Sequence, residues 1–194
     1  MGLGEGHSPS GQVPISTRRG RAVTPRSPDT ADVEVRLART PEELAGHFRV
    51  REEVFVEEQG LFDGTDRDHW DETALHIVAV SGSAVLGAVR LYPLDEAGLW
   101  QGDRLAVSRE ARKLRAGGPL VRCAVRTAGA LGGHLMIARI QEPIVPLFRF
   151  LGWERVGGLI DYRGVAHQRM TIPLSGAEPT FAEATYAWAL GVGA

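Results

Sequence analysis

A loop in the middle of the chain places three cations directly before a predicted helix. The cations are Arg112, Lys113 and Arg115, and the small residues Gly117 and Gly118 follow them. Free backbone N–H groups and the helix dipole make such a turn favourable for an anion, and a diphosphate group is a natural occupant. Glycine-containing turns before helices are also common where nothing binds. The loop alone therefore leaves both interpretations open.

An acidic run lies earlier in the chain, and its members are Asp63, Asp66, Asp68, Asp71 and Glu72. The run lacks the glycine and the terminal glutamate of a calcium loop, so we expect no metal site. Arg51 and Arg90 lie among apolar neighbours, and a buried arginine requires a carboxylate partner. We therefore expect both arginines to pair with the acidic run, and a solvated acidic loop is the alternative.

Hydrophobic periodicity predicts the strands that must position these groups. The predicted strands cover residues 33–37, 74–80, 84–91, a segment ending at 107, and residues 135–140, 153–160 and 165–172. The predicted order of elements is strand, two helices, three strands, helix, strand, helix, two strands. Strands and helices mixed in this way indicate an α/β or α+β domain.

Three helices carry clear end signals. Thr40 can cap the first helix, with Pro41 in its first turn and Glu43 completing a capping box. Leu44, Phe48, Arg51 and Phe55 are predicted on one face of that helix. The next helix runs from Leu120 to a stop at Gly132, and the last begins at Pro143 with Ile144, Leu147, Phe148 and Leu151 predicted inward.

Composition divides the chain into one domain and two tails. Residues 1–32 almost lack large apolar side chains and are predicted to be disordered, because such a segment cannot offset its ordering entropy. Residues 33–174 form the predicted domain. Residues 175–194 are an Ala-rich tail or a short helix, packed on the core or on a second subunit. A homodimer therefore stays open.

Charge, cysteine content and hydropathy exclude several classes of protein. The net charge is -2 with a pI near 6.3, which argues against a nucleic-acid-binding protein. No apolar run approaches the ~20 residues needed to span a bilayer. The single cysteine, Cys123, cannot form an internal disulfide and is predicted to pack in a helix. A cytoplasmic location is the simplest expectation.

The chain resembles the GNAT superfamily of acyltransferases over residues 33–174. The segment from Arg104 to Arg112 resembles the strand and loop that hold coenzyme A (CoA) in that family. Arg112 begins the six-residue turn of the family pattern and Gly117 ends it, but Arg115 stands where a glycine is usual. Residues 148–153, FRFLGW, are similar to a helix end of the family.

A second block of residues narrows the resemblance. It comprises residues 51–59, 66–71 and 87–93 together with His76. The block is similar to GNAT proteins with a VFVEEQ stretch and, more distantly, to acyl-homoserine-lactone synthases. The overall likeness is greatest to GNAT proteins of bacterial nitrogen-starvation and nitrilase gene clusters.

The resemblance implies a GNAT fold, with a central mixed, mostly antiparallel twisted sheet flanked by helices, and acetyl-CoA as co-substrate. It implies cofactor contacts from Leu105, Ala106, Val107, Arg112, Lys113, Arg115, Ala116, Gly117, Gly118 and Phe148. By analogy with the lactone synthases, it implies acceptor contacts from Arg51, Phe55, Asp66, Asp68, Asp71, His76 and Arg90. His76 is alternatively a core histidine.

The expected reaction is direct attack of a small-molecule amine on the thioester of acetyl-CoA. Such an amine is mostly ammonium at pH 7, so a base must remove a proton. Glu57, Glu142 and His167 are comparable candidates for that base. Phe148 aligns with the tyrosine that donates a proton to the thiolate in many GNAT enzymes, so the acid is missing.

Two other functions stay open at this point. One is a long-chain N-acyltransferase resembling lactone or N-acyl-amino-acid synthases, fed by CoA or by acyl carrier protein. The other is a non-catalytic sensor of an acyl-CoA or an amine.

Overall fold

The computed structural model describes residues 1–2, 33–94 and 97–176. Seven strands of this part form one sheet in the order β1-β2-β3-β4-β5-β7-β6. Neighbouring strands are antiparallel except β4 and β5, which are parallel. The predicted mixed, mostly antiparallel sheet flanked by helices is confirmed.

The strands are β1 (Glu34–Leu37), β2 (Leu75–Ser81), β3 (Ala84–Pro93), β4 (Leu99–Val107), β5 (Leu135–Gln141), β6 (Glu154–Tyr162) and β7 (Val165–Pro173). The α-helices are α1 (Pro41–Arg51), α2 (Gly117–Ala130) and α3 (Val145–Phe150). Where the sequence predicted a second helix, α1 continues into a π-helical segment, Glu52–Glu58, and a 3-10 turn follows at His69–Glu72.

Helix α1 begins as predicted at Thr40, whose Oγ1 accepts the N–H of Glu43 at 3.2 Å. The predicted capping box is not formed, because the Glu43 carboxylate instead accepts from the Arg36 guanidinium and from the N–H of Arg39. Gly46 allows α1 to cross β3 closely: a Cβ there would lie 2.5 Å from Val85 Cγ2.

The sheet separates two apolar layers. Val50, Val54 and Phe55 of α1 and its continuation pack on one face, and Leu120 of α2 and Phe148 of α3 belong to the layer on the other. The buried face of α1 also carries Gly46, His47 and Arg51, whereas the predicted Leu44 and Phe48 are only half-buried.

Helix α3 differs from the prediction at its start. Ile144 was predicted to point inward, yet it is 38% exposed and precedes α3 in a 3-10 turn. Val145 and Phe148 fill the buried positions. A 3-10 turn rotates by more per residue than an α-helix does, so the side chains of this turn are not aligned with the apolar face of α3. Ile144 therefore lies beside a cavity instead of in the core.

The parallel strands β4 and β5 separate after a short ladder. Their register joins residues 99–101 to residues 135–137, ending at Gln101 and Ile137. Beyond that point the main-chain groups of β4 that face β5 have no strand partner within the described sheet. Strand β4 also carries a bulge opposite Ala88 and Arg90, and Arg104 lies in it with φ 54°. The two strands therefore form an open split within the sheet.

The predicted tails, residues 1–32 and 175–194, lie outside the described residues except for positions 1, 2, 175 and 176. Within the described part, no helix has both the length and the hydropathy needed to cross a membrane.

Candidate active site

A cavity of about 740 Å³ opens at the split between β4 and β5. The exposed backbone of β4 forms one wall, and residues 136–141 of β5 form the other. Val121 and Ala124 of α2 close it on one face of the sheet, and Phe55 and Phe62 line it on the face that α1 covers. The cavity therefore passes through the sheet and reaches both layers.

Six of the ten predicted cofactor contacts line this cavity: Leu105, Ala106, Val107, Arg112, Gly117 and Phe148. The other four, Lys113, Arg115, Ala116 and Gly118, lie in the same turn or at the start of α2 but outside the lining. The predicted loop and the predicted strand thus meet at one opening.

The turn before α2 has a geometry suited to a diphosphate. A 3-10 helix covers Arg109–Leu114, and Arg115 follows with φ 53° and ψ 33°, the left-handed conformation that favours glycine. Helix α2 then begins at Gly117 without a side-chain cap. A Cβ on Gly118 would meet no atom of the described part of the chain within 4 Å, so those residues leave space beside the start of α2. Uncapped N–H groups beside cations form an anion site.

Arg112 forms an ion pair with Glu58, at the end of the π-helical segment that follows α1. Its guanidinium donates to both carboxylate oxygens of Glu58, at 2.8 and 2.5 Å, and its Nε donates to the Val107 carbonyl at 3.3 Å. Hydrogen bonding to Arg112 lowers the pKa of Glu58. Close by, the Gln141 amide donates to the Gln59 side chain at 2.8 Å. Glu58 and Gln59 thus connect the turn with the end of β5.

The predicted pairing of Arg51 and Arg90 with the acidic run is confirmed. Both arginines have no exposed surface. Arg51 donates to Asp66 at 2.8 Å and to Asp71 at 2.6 and 3.0 Å. Arg90 donates to Asp68 at 2.6 and 3.0 Å.

Two residues complete this buried charge network beyond what the sequence indicated. Asp103 accepts from Arg90 at 2.8 and 2.9 Å, and Arg104 contacts Asp66 at 3.2 Å and Asp68 at 3.1 Å. The buried charge network is defined as Arg51, Arg90 and Arg104 with Asp66, Asp68, Asp71 and Asp103. Each carboxylate is satisfied by at least one guanidinium, as buried ion pairs require.

The buried charge network shifts the pKa of Asp71, one of its members, and of Tyr92, which contacts it. Burial opposes ionisation of Asp71, but hydrogen bonds from Arg51 and the charge of Arg90 hold the pKa of its carboxyl below the usual range. Burial and the charge of Asp103 raise the pKa of the Tyr92 hydroxyl, which donates to Asp103 at 3.2 Å. Tyr92 therefore stays protonated beside the cavity.

Most of the predicted acceptor contacts lie behind the cavity wall. Phe55 lines the cavity, whereas Arg51, Asp66, Asp68, Asp71, His76 and Arg90 are outside the lining. Asp103 and Arg104 are the network members that reach the cavity. A role of the network in holding the acceptor stays a prediction. The hydrogen bonds described above instead stabilise the cavity wall that Asp103 and Arg104 form.

His47 and His76 form a buried pair next to the network. Their ring centroids are 4.7 Å apart, edge to face, and Phe48 packs against both. His47 Nε2 lies 3.4 Å from the Val89 carbonyl and His76 Nε2 lies 3.1 Å from the Asp71 carbonyl. Neither Nδ1 has a hydrogen-bond partner among the residues that the structure describes. Burial lowers the pKa of His47 to about 2 and also lowers the pKa of His76.

Because burial lowers the pKa of both histidines, we expect the folded state to lose stability as the pH falls from 6.5 to 5. The unfolded chain binds a proton at His47 below pH ~6.5 and the folded chain does not, so falling pH favours unfolding. His47 alone is expected to remove about 2 kcal/mol of unfolding free energy over this interval, and His76 acts in the same direction. Urea unfolding at pH 7 and at pH 5 measures the change.

The matched variants separate this effect from general acid sensitivity. His47→Gln is expected to reduce the loss between the two pH values by about 2 kcal/mol, whatever its own cost at pH 7, and the contribution of His76 should remain. His69→Gln, at an exposed histidine, is expected to keep the full loss. An unchanged pH dependence in the His47 variant would show that the buried ring is not responsible.

His167 is the candidate base that lies at the cavity. It is 6% exposed, on β7, opposite Gln141 of β5. Its Nδ1 lies 2.8 Å from the Val165 carbonyl, which can only accept, so the neutral ring carries its proton on Nδ1. Nε2 then keeps the lone pair. Glu57 and Glu142 are exposed and lie outside the lining.

Several cavity residues were not predicted from the sequence. Tyr162 of β6 packs edge to face on His167, with ring centroids 5.5 Å apart. Trp153 is 4% exposed and lines the cavity, and its Nε1 has no hydrogen-bond partner among the described residues. Arg139 of β5 also lines the cavity. Only strand register brings these side chains together, and sequence spacing does not reveal it.

Comparison with known proteins places this geometry in a family. The model of the acetyltransferase (GNAT) family matches residues 42–153. The uncharacterized N-acetyltransferase YjcF of Bacillus subtilis (strain 168) is 30% identical over 118 residues, which cover 61% of this chain and 83% of YjcF. The predicted likeness to nitrogen-starvation gene clusters stays a prediction.

Solved structures share the fold at low sequence identity. The CoA-dependent acyl-homoserine lactone synthase BjaI, bound to SAM and isopentyl-CoA, has a TM-score of 0.60 at 19% identity, covering 79% of this chain and 84% of BjaI. A phosphinothricin acetyltransferase from Sinorhizobium meliloti, in complex with AcCoA, has a TM-score of 0.61 at 21% identity, covering 77% of this chain and 92% of that one.

Proposed function

Because the chain belongs to the acetyltransferase (GNAT) family, we propose that it moves an acetyl group from acetyl-CoA to the amine of a small molecule by direct attack. The observation that carries the proposal is the junction of the cationic turn with the β4–β5 split in one cavity. The turn would hold a diphosphate, and the split would hold the thioester beside unpaired β4 backbone.

The residues at the split suit the chemistry of amine acylation. His167 Nε2 would take a proton from the attacking ammonium. Backbone N–H groups of β4 near Val107 would stabilise negative charge on the thioester oxygen. Phe148 offers no hydroxyl, so the thiolate would leave unassisted, which a thiol with pKa near 8.5 permits.

The proposal is tested first by binding. Coenzyme A should raise the melting temperature of the protein, and pantetheine, which lacks the diphosphate, should raise it much less. The double substitution Arg112→Glu with Arg115→Glu should abolish the shift from CoA, because it places two carboxylates at the turn. Differential scanning fluorimetry with each ligand measures both.

A control variant with the same change in net charge tests whether the loss of binding is specific to the turn. Arg39→Glu with Arg155→Glu changes two exposed arginines elsewhere, at the start of α1 and on β6, and should keep the CoA shift. Retention of the full shift in the Arg112/Arg115 variant would show that the turn does not hold the diphosphate. Thiol release from acetyl-CoA with an amine panel then tests turnover, and binding without turnover would favour a sensor.

One observation supports a second candidate, transfer of a longer acyl chain. The cavity continues past the split to apolar side chains of the α2 and α3 layer, among them Val121, Met136 and Trp153. This space can take hydrocarbon as well as an acetyl group. Comparing kcat/KM for acetyl-, hexanoyl- and decanoyl-CoA decides between the two, and a rise with chain length would favour the second.

A further inference from the structure

Arg139 differs from the other charged side chains at the cavity. Five aspartate, glutamate and arginine side chains of the described residues line it: Glu58, Asp103, Arg104, Arg112 and Arg139. Glu58 pairs with Arg112, and Asp103 and Arg104 belong to the buried charge network. No carboxylate of the described residues lies within 4.0 Å of the Arg139 guanidinium.

A second arginine stands directly across from it. Strand register pairs Arg139 of β5 with Arg169 of β7. Both side chains are exposed, and Arg169 likewise has no carboxylate of the described residues within ion-pair distance. Like charges directly opposite each other on antiparallel strands are destabilising. An anion between the two guanidinium groups would remove that repulsion.

The arginine pair lies on the same face of the sheet as the candidate base. Gln141 and His167 form the register pair two residues along the same strands, about 7 Å away. Arg139 also lies 5.9 Å from the centroid of Tyr162, whose ring contacts His167. Arg139 and His167 therefore line the same end of the cavity, and Arg169 lies across from Arg139 just outside the lining.

We propose that the acceptor is an amine that also carries a carboxylate or a phosphate, and that Arg139 and Arg169 bind this anionic group. The proposal rests on the proposed acetyl transfer and names its substrate class. Paired guanidinium groups bind carboxylate and phosphate oxygens with charge-assisted hydrogen bonds. The short distance to His167 favours a compact acceptor in which few bonds separate the amine from the anion.

Matched acceptors test the proposal through free-thiol release. The pairs are β-alanine with β-alaninamide, and phosphoethanolamine with ethanolamine, each at equal ionic strength. Wild-type protein should prefer the anionic member of at least one pair by tenfold or more in kcat/KM. The pair with the larger ratio distinguishes a carboxylate from a phosphate. Because the arginines are exposed, the preference should shrink as salt is raised.

Variants connect the preference to the arginines. Arg139→Gln and Arg169→Gln should each reduce the ratio between the anionic and neutral acceptors by about tenfold, as loss of a charge-assisted hydrogen bond predicts. The matched control is Arg155→Gln, an exposed arginine of β6 opposite the buried Met170, and therefore on the other face. It should keep the wild-type ratio.

The outcomes separate this inference from the proposed function. Preference for neutral amines or for spermidine, with a ratio that Arg139→Gln leaves unchanged, would overturn the inference and leave acetyl transfer intact. Absence of both CoA binding and thiol release would overturn the proposed function. If CoA binds without turnover, the anion site is tested by the change in melting temperature that anionic amines cause. A rise that Arg139→Gln abolishes supports the site. If anionic amines cause no rise in the wild-type protein, the site is refuted.

Discussion

Replacing His167 with asparagine is expected to lower kcat for amine acetylation by about 10²- to 10⁴-fold at pH 7. The asparagine amide can still donate towards the Val165 carbonyl, as the imidazole Nδ1 does at 2.8 Å. It has no equivalent of the lone pair on the ring Nε2, the nitrogen that does not contact the Val165 carbonyl. Binding of acetyl-CoA should be little changed, because the diphosphate and thioester contacts come from other residues.

The pH dependence distinguishes a lost base from a disturbed wall. An amine with pKa about 9 is almost fully protonated at pH 7 and half neutral at pH 9. Without a base, the variant depends on amine that is already neutral, so its deficit in kcat should shrink as pH rises from 7 to 9. A merely structural defect would keep the same deficit at both pH values.

The two other candidate bases provide the comparison. Glu57→Gln and Glu142→Gln change exposed carboxylates outside the cavity lining and should keep kcat within about twofold, since surface substitutions away from a site have small effects. A large loss in either variant, together with near-normal activity of His167→Asn, would move the base to that glutamate.

Local chemistry explains why much of the fold could be predicted. Short, mostly apolar runs mark strands β2 and β3, and the cap at Thr40 fixes the start of α1. The pairing of Arg51 and Arg90 with aspartates also followed from one physical requirement, because a buried guanidinium needs a carboxylate. Such features depend on composition and near neighbours, which a sequence displays.

The features that escaped prediction depend on geometry. The π-helical segment Glu52–Glu58 adds about one residue per turn, so the face expected from a period of 3.6 drifts after Arg51. The bulge at Arg104 shifts the register of β4, and this places Asp103 beside Arg90. The opposition of Arg139 and Arg169 likewise exists only in the paired sheet.

The largest effect on stability is expected from Arg90→Met. Arg90 has no exposed surface and donates to Asp68 and Asp103, and its Nη1 lies 3.0 Å from Asp71. Removing it leaves Asp103 without a guanidinium of the described residues, while Asp68 keeps Arg104 and Asp71 keeps Arg51, at a cost of about 3–5 kcal/mol. The melting temperature should fall by roughly 6–20 °C for a chain of this size. Thermal and urea unfolding at pH 7 measure the loss.

A compensated variant shows whether unpaired charge or lost packing causes that effect. Arg90→Met combined with Asp68→Asn and Asp103→Asn keeps the methionine in place but removes the two carboxylate charges to which Arg90 donates. If charge dominates, the triple variant should regain at least half of the lost unfolding free energy, because replacing both members of a buried ion pair by neutral residues costs much less than removing one member. If packing of the guanidinium stem dominates, the triple variant should be no more stable than Arg90→Met. Since Asp103 also lines the cavity and accepts from Tyr92, a stable triple variant with weakened amine turnover would connect the network to the acceptor wall.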